Sequence, residues 1–328
     1  MKVLVVGGAG YIGSHMALML RQQGAEVIVL DDLSSGHADA VLSARLVQGS
    51  IADTGLLDRL FADGNFDGVM HFASFIQVGE SVQHPAKYYR NNVTHTINLL
   101  DAMIRHGVRN FIFSSTAAIF GQPEYIPIDE AHPKQPINPY GRSKWMVEQV
   151  LQDYDAAYGL KSVCLRYFNA AGADPEARIG ETHEPETHLI PLLLQVASGR
   201  RESAQIFGHD YDTPDGTCIR DYIHVLDLAA VHSLALEHLI SGAPSAAYNL
   251  GNGNGFSVRR VIDAVCQVTK KAVPVIDAAR RAGDPARLVA NAAWRANISA
   301  GHRNTRNSRR LCLMPGIGSE KSPACERS

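Results

Sequence analysis

GGAGYIG, residues 7–13, places four glycines in seven positions. Before it runs VLVV (3–6), a short β-branched stretch of the kind that forms a buried parallel strand. After it, SHMALMLRQQG (14–24) has apolar residues near helical spacing and stops at Gly24, a capping residue. The glycines therefore lie at a strand-to-helix turn. Glycine permits a tight turn there and lets a phosphate approach the backbone N–H groups of a helix N-terminus. Gly8, Gly10 and Gly13 spell G-x-G-x-x-G, a weak signal by itself. Context strengthens it, because a second apolar strand, EVIVL (26–30), ends in Asp31 and Asp32. Asp31 stands 18 positions after Gly13, about where a dinucleotide fold sets the carboxylate that binds the adenosine ribose. A carboxylate there repels the extra phosphate of NADP, so the stretch predicts NAD. The plainer alternative is a turn with a surface acid; strand, turn, helix, strand and acid in that order weigh against it.

The chain has 328 residues, 45% hydrophobic and 20% charged, with a formal net charge of −2. That length allows one large or two modest domains with ample core. The charge balance gives no reason to expect a nucleic acid or an anionic membrane as partner. No apolar run approaches transmembrane length, and one Lys with four apolar residues before the glycines does not make a signal peptide. The five cysteines (164, 218, 266, 312 and 325) are widely spaced with no C-x-x-C, which predicts reduced thiols in the cytoplasm and no zinc site or disulfide framework.

Strand-like runs recur at 66–73, 108–115 and 162–168, with helix-like runs between them at 54–64, 88–107 and 143–159. Alternation of this kind predicts an α/β fold, a doubly wound parallel sheet with helices on both faces and ligands at the carboxyl ends of its strands. Ser114, Ser115 and Thr116 close one such strand; Phe168 and Asn169 close another. After residue 170 the texture changes to long loops rich in Gly, Pro and His. The expected organisation is a Rossmann NAD-binding domain over 1–169, with a returning segment near 219–235. A smaller C-terminal substrate domain then occupies mainly 170–298, followed by an atypical tail over 299–328.

Chemistry concentrates at NPYGRSK, residues 138–144. Pro139 suits a first helical position, so Tyr140 and Lys144 share one helix face. A phenol with a pKa near ~10 is a poor base at neutral pH. A nearby ammonium, joined by a positive nicotinamide ring, favours the phenolate. Tyr140 then becomes a general base for a sugar hydroxyl, with Thr116 hydrogen-bonding the same substrate oxygen. Y-x-x-x-K also arises by chance in many helices, and its weight here comes from the dinucleotide turn before it.

These stretches carry a resemblance. GGAGYIGSH, VIVLDDLSSG, HFASFIQVGESVQHPAKYYRNNV, FIFSSTAAIFG, NPYGRSKWMVEQ, LRYFNAAGADP, IFGHDYDTPDGTCIRDYIHVLDLA, YNLGNGNGFSV and ARRAGDPARLVA run in one order from Gly7 to Ala290. In them the chain resembles the extended short-chain dehydrogenases/reductases, and among those the UDP-glucose 4-epimerase (UDP-galactose 4-epimerase) family. The resemblance implies that Gly7, Gly10, Tyr11, Ile12 and Gly13 cradle the pyrophosphate of NAD and that Asp31 holds its ribose. Ser50 and Ile51 fall at the adenine positions, where the family often has Asp at the first. Phe72, Ala73, Ser74 and Asn91 line the cofactor, and Phe168 packs on the nicotinamide. Asn169, His188, Leu189, Gln205, Ile206, Phe207, Arg220, Arg281 and Asp284 fall at the nucleotide-sugar positions. His188 replaces a usual Asn, and Ile76 stands where several members carry Lys. Guanidinium forks at 220 and 281 suit a diphosphate. The implied reaction interconverts UDP-glucose and UDP-galactose through transient oxidation at C4, with no net redox. A 4,6-dehydratase shares the Tyr and Lys but adds an acid pair after the strand serine; here Ser115-Thr116-Ala117-Ala118 has none. A non-catalytic NAD-binding protein is the remaining alternative, against which the intact Tyr140, Lys144 and Thr116 argue. The resemblance also implies a homodimer through helices 86–106 and 140–158.

HEPETH (183–188) suggests a metal motif at a glance, but its histidines are five apart and Pro185 interrupts any helix, so no metal is expected. His71 reads as a core histidine and Cys164 and Cys266 as structural. Trp145, Met146 and Val150 read as core or dimer packing. Leu288 falls where the family sets room for an N-acetyl group and is intermediate in size. The resemblance stops near Ala290. From Gly301 the tail holds six Lys or Arg against two Glu with no helical apolar period. It is expected to be disordered, as from an altered reading frame or a displaced stop codon.

Overall fold

The computed structural model describes residues 1–281 and 284–291. The tail expected to be disordered lies outside the described residues. The run after Met1 forms β1 (Lys2–Val6), followed by β2 (Glu26–Asp31), β3 (Arg45–Gln48), β4 (Gly68–His71), β5 (Asn110–Thr116) and β6 (Lys161–Tyr167). Four short strands follow: β7 (Asn169–Ala171), β8 (Ala204–Phe207), β9 (Ile219–Arg220) and β10 (Tyr222–His224). A longer one, β11 (Ala246–Leu250), joins the main sheet, whose order is β11-β6-β5-β4-β1-β2-β3 with every pairing parallel. The doubly wound parallel sheet is therefore present, and the chain reverses direction of winding between β1 and β4.

The continuous apolar run of β1 hides a period of two. Val3 and Val5 enter the core on one face, under α1 (Tyr11–Gln22). Leu4 and Val6 enter the core on the other, under α2 (Thr54–Gly64) and, beyond two short helices α3 (Val78–Gln83) and α4 (Pro85–Tyr89), α5 (His95–Arg105) and α6 (Pro139–Tyr158). Burial on both faces is why the strand reads as unbroken hydrophobic text. The sequence reads one helix over 86–106; the structure divides it into α4, a π turn at Arg90–Thr94, and α5. The cause is Asn92, whose buried side chain turns inward to accept from Phe75 N and to donate to Phe75 O and Ser143 Oγ. A widened turn is a common way to aim one side chain out of the regular helical ladder.

The return to the large sheet extends beyond 219–235. After α7 (Leu189–Ala197), helix α8 (Val225–Ile240) packs beside α1, and β11 then adds the seventh strand. A separate apolar cluster forms where α7 meets β8 and α9 (Val258–Thr269), through Leu193, Val196, Ile206, Val261 and Val265. Around it, β12 (Phe256–Ser257) runs antiparallel to β9, β13 (Val275–Ala278) pairs with β8, and β14 (Arg287–Leu288) pairs with β9. Asp221, fully buried between β9 and β10, accepts from Asn252 N, Gly253 N and Ala290 N, and so ties two separate segments to one carboxylate.

The glycines of the first turn do different work. Gly7 has φ +78°, and a Cβ there would lie 2.5 Å from Ala73 N. At Gly13 a Cβ would drive into the Gly7 carbonyl. At Gly10 the nearest atom would be 3.5 Å away, ordinary contact at the edge of open space. Gly13→Ala is therefore expected to destabilise the protein by about 1–3 kcal/mol, the cost of overpacking against backbone that cannot yield. Gly10→Ala should leave stability within about 0.5 kcal/mol. Urea unfolding of the two variants, compared with the parent chain, checks both expectations.

Candidate active site

The carboxyl ends of β1, β2, β4, β5 and β6 open on one edge of the sheet, with the switch point between β1 and β4. Gly10 caps α1 in extended geometry with no side chain over the helix N-terminus. The first-turn amides and the helix dipole thus face the space that a Cβ on Gly10 would begin to fill. Asp31, at the end of β2, is nearly buried; its two oxygens accept from Ala9 N and Leu33 N, each at 2.9 Å. Burial pushes its carboxyl up, and these two amides pull it back down. The carboxylate is thus fixed against the glycine turn. Ser50 and Ile51 follow β3 beside it; Ile51 turns its side chain into the core and Ser50 Oγ accepts from Ala52 N. Open space at Gly10, an uncapped helix N-terminus and a positioned acid are features that a dinucleotide diphosphate and ribose fit.

The catalytic candidates meet at the end of β5. Asn138 caps α6, its Oδ1 accepting from Gly141 N at 2.8 Å, and Pro139 takes the first helical position. This start sets Tyr140 and Lys144 one turn apart over the strand end. The phenol is pushed up by burial and drawn back by a hydrogen bond with Thr116. Lys144 is buried, and its Nζ donates to Ser74 Oγ (2.7 Å) and to the Ser114 carbonyl (2.8 Å), above the Phe113 ring. Desolvation brings its ammonium down to about 7, although Glu148 works in the opposite direction. The direct partner of Tyr140 is thus Thr116, and Lys144 bridges the ends of β4 and β5. Phe72, Ala73 and Ser74 continue from β4 into this same edge, and Asn91 donates to Asn92 Oδ1 at 3.0 Å. Phe168, after β6, packs with Trp145 and Leu288 on a small cluster around Phe120.

The candidate sugar-nucleotide residues form a second group. Asn169 Nδ2 donates to the Asp221 carbonyl at 2.9 Å, beside the β7–β10 pairing. Arg220 pairs with Asp284, its Nη1 donates to Ile219 O, and the Arg281 guanidinium lies 3.8 Å over the Phe207 ring. Gln205 is exposed on β8, whereas Ile206 turns its side chain into the core and leaves only its main chain free to face a ligand. Leu189 begins α7, and the His188 Nδ1 lies 2.6 Å from Glu181.

Several supporting residues escaped the sequence reading. Glu148 is almost fully buried; it grips Arg166 of β6 through both oxygens and accepts from Ser115 Oγ at 2.5 Å. Its signal was available, since Tyr140, Lys144 and Glu148 follow at four-residue steps along one face of α6. Tyr167 pairs its hydroxyl with Ser114 Oγ, and Asn92 reaches Ser143; no local pattern announces either. His71 is a core residue, its Nε2 bonded to Thr96 Oγ1, and burial pushes it down to about 3, so it is neutral.

Residues 3–251 match the model of the NAD dependent epimerase/dehydratase family. The chain is 55% identical over 291 residues to a UDP-glucose 4-epimerase of Halalkalibacterium halodurans, covering 89% of this chain and 87% of that protein. The structure is similar to that of UDP-glucose 4-epimerase from Brucella ovis in complex with NAD, with TM-score 0.88 and 51% identity, covering 90% of this chain and 91% of that one. It is also similar to the Stenotrophomonas maltophila UDP-glucose-4-epimerase with bound NAD and formylated UDP-arabinopyranose, with TM-score 0.87, 41% identity and 90% of each chain covered.

Lys144 makes stability depend on pH. Its folded pKa of about 7 lies below the unfolded value near ~10.4, so between those values the unfolded chain binds more protons. Its contribution therefore opposes folding most below pH 7, and stability rises as the pH climbs from there toward 10. Lys144→Met removes this dependence. The gain in unfolding free energy of that variant over the parent is expected to be larger at pH 6 than at pH 9 in urea titrations of the NAD-free protein.

Proposed function

The chain belongs to the NAD-dependent epimerase/dehydratase family, and from that we propose that it is an NAD-dependent isomerase that interconverts UDP-glucose and UDP-galactose at C4. The observation that carries the reading is the convergence of Tyr140, Thr116 and Lys144 at the end of β5, beside the glycine turn and Asp31. NAD, when bound, would supply a reversible hydride acceptor for C4, and inversion would require the keto sugar to turn over in the pocket before the hydride returns. Tyr140 removes the proton from the 4-hydroxyl and later restores it, and Thr116 holds the same oxygen. Lys144, partly ionised at neutral pH, supports the phenolate and the cofactor ribose side of the cleft. The carboxyl end of β5 continues Thr116-Ala117-Ala118, with no acid to eliminate water, which favours epimerisation over dehydration.

Gly7, Gly10, Tyr11, Ile12, Gly13, Asp31, Ser50, Ile51, Phe72, Ala73, Ser74, Asn91 and Phe168 line the cofactor in this reading. Asn169, His188, Leu189, Gln205, Ile206, Phe207, Arg220, Arg281 and Asp284 hold the nucleotide sugar. A diphosphate would meet the Arg220 guanidinium in competition with Asp284. The dinucleotide unit comprises residues 1–169 with α8 and β11; the other described residues after 169 cover the substrate. The protein works in the cytoplasm as a homodimer through α4–α5 and α6, where Met146 is 42% exposed on the outer face of α6. Among the described residues no helix is long and apolar enough to cross a membrane.

Purified protein given UDP-galactose should form UDP-glucose, resolved by nucleotide-sugar chromatography, with no added NAD. Tyr140→Phe should lower turnover at least about a hundredfold, the usual range for loss of a general base, while its NAD content on denaturation stays that of the parent. Parent-like turnover by that variant overturns the role of Tyr140, and recovery of mostly NADP overturns that of Asp31.

A further inference from the structure

In sequence, HEPETH fails as a metal motif because no helix can align His183 with His188. The structure reaches the geometry by another route. The loop before α7 folds back so that Glu181, His183, Glu186 and His188 each bring one possible ligand atom into a cluster, all four within 4.8 Å of one another. The His188 Nδ1 is 2.6 Å from Glu181 Oε1 and 3.4 Å from Glu186 Oε1. The His183 Nδ1 is 3.3 Å from Glu181 Oε1 and 3.8 Å from Glu186 Oε2. Around a tetrahedral zinc ion with bonds of about 2.0–2.1 Å, neighbouring ligand atoms stand about 3.3 Å apart, inside this range.

The enclosure is unlike that of a surface ion pair. The side chains of Glu181 and Glu186 are 8% and 7% exposed. The buried Glu181 Oε1 and the two Nδ1 atoms hydrogen-bond to nothing outside the cluster among the described residues. Glu186 is held in place, its Oε1 accepting from Thr187 N and His188 N. Glu181 and Glu186 share one half-buried space, and without an ion their charge is met only by the imidazoles themselves, His188 being drawn toward its protonated form by Glu181. A divalent cation neutralises that charge and gives the three inward-facing atoms a partner. The His183 ring meets the edge of Tyr11, and Tyr11 Oη donates to Gly172 O at 2.6 Å, so this loop already leans on the glycine turn.

We propose that Glu181, His183, Glu186 and His188 form a closed, structural site for a divalent transition cation of the zinc class, which pins the loop carrying His188 against the start of α1. Two imidazoles and two carboxylates suit zinc or cobalt better than magnesium or calcium, which favour all-oxygen shells. Four protein ligands leave no open position, so the ion takes no part in the chemistry at Tyr140.

The test uses the full chain with its bound NAD, stripped by chelator and titrated with Co²⁺ and then Zn²⁺. One equivalent per chain is expected, with the intense visible absorption of four-coordinate cobalt that zinc abolishes. Glu181→Gln and His183→Ala should each weaken binding at least about tenfold while keeping the parent's NAD content in chelator. X-ray absorption of the zinc-loaded parent chain should show a nitrogen and oxygen shell with imidazole scattering. A sulfur shell, affinity unchanged in both variants, or no binding at micromolar zinc overturns the site.

Discussion

One buried ion pair sets the register of α6, the helix that carries Tyr140 and Lys144. Glu148 receives both the guanidinium of Arg166 and the hydroxyl of Ser115, and so fixes α6 to β5 and β6 at a single rotation. Such a pair adds little net stability over apolar residues of the same volume, because desolvation consumes the attraction. Its removal on one side would leave a charge stranded in the core, at a cost of about 3–5 kcal/mol. What it secures is orientation. One turn toward the N-terminus stands Lys144 and one turn further stands Tyr140, both aimed at the carboxyl edge of the sheet.

Lys144 sits in that same constrained space, where its Nζ reaches Ser74 from β4 and the Ser114 carbonyl from β5. Burial lowers its proton affinity toward neutrality, and the carboxylate of Glu148 limits the fall. Charge is kept near the chemistry at some expense to the fold, as is common where function needs a perturbed group. The phenol of Tyr140 is raised by the same burial and eased by its hydrogen bond with Thr116.

A second buried carboxylate performs a comparable service between the sheet and the smaller cluster. Asp221 accepts from the backbone at residues 252 and 253 and again at 290, two distant points of the chain. Its neighbour Arg220 is left to face Asp284, and Asn169 reaches the Asp221 carbonyl. The sugar-nucleotide candidates therefore stand on a polar frame, and the dinucleotide candidates on an apolar sheet.

The dinucleotide turn, the acid at the end of β2, the parallel sheet and the Tyr140–Lys144 pair were legible in the sequence, because each depends on contacts within a few residues or on a strict period. Strand periodicity survives in the text, and glycine leaves its mark wherever backbone meets backbone, as Gly7 and Gly13 do. The seventh strand at 246–250, the π turn around Asn92 and the Ser114–Tyr167 contact were not legible. Each rests on partners tens of residues away, which no local pattern records. HEPETH marks the boundary between the two. Read as a linear spacing it excludes a shared centre, while the folded loop brings both histidines and two glutamates together. Side-chain convergence across a loop depends on backbone direction, which only the tertiary structure decides.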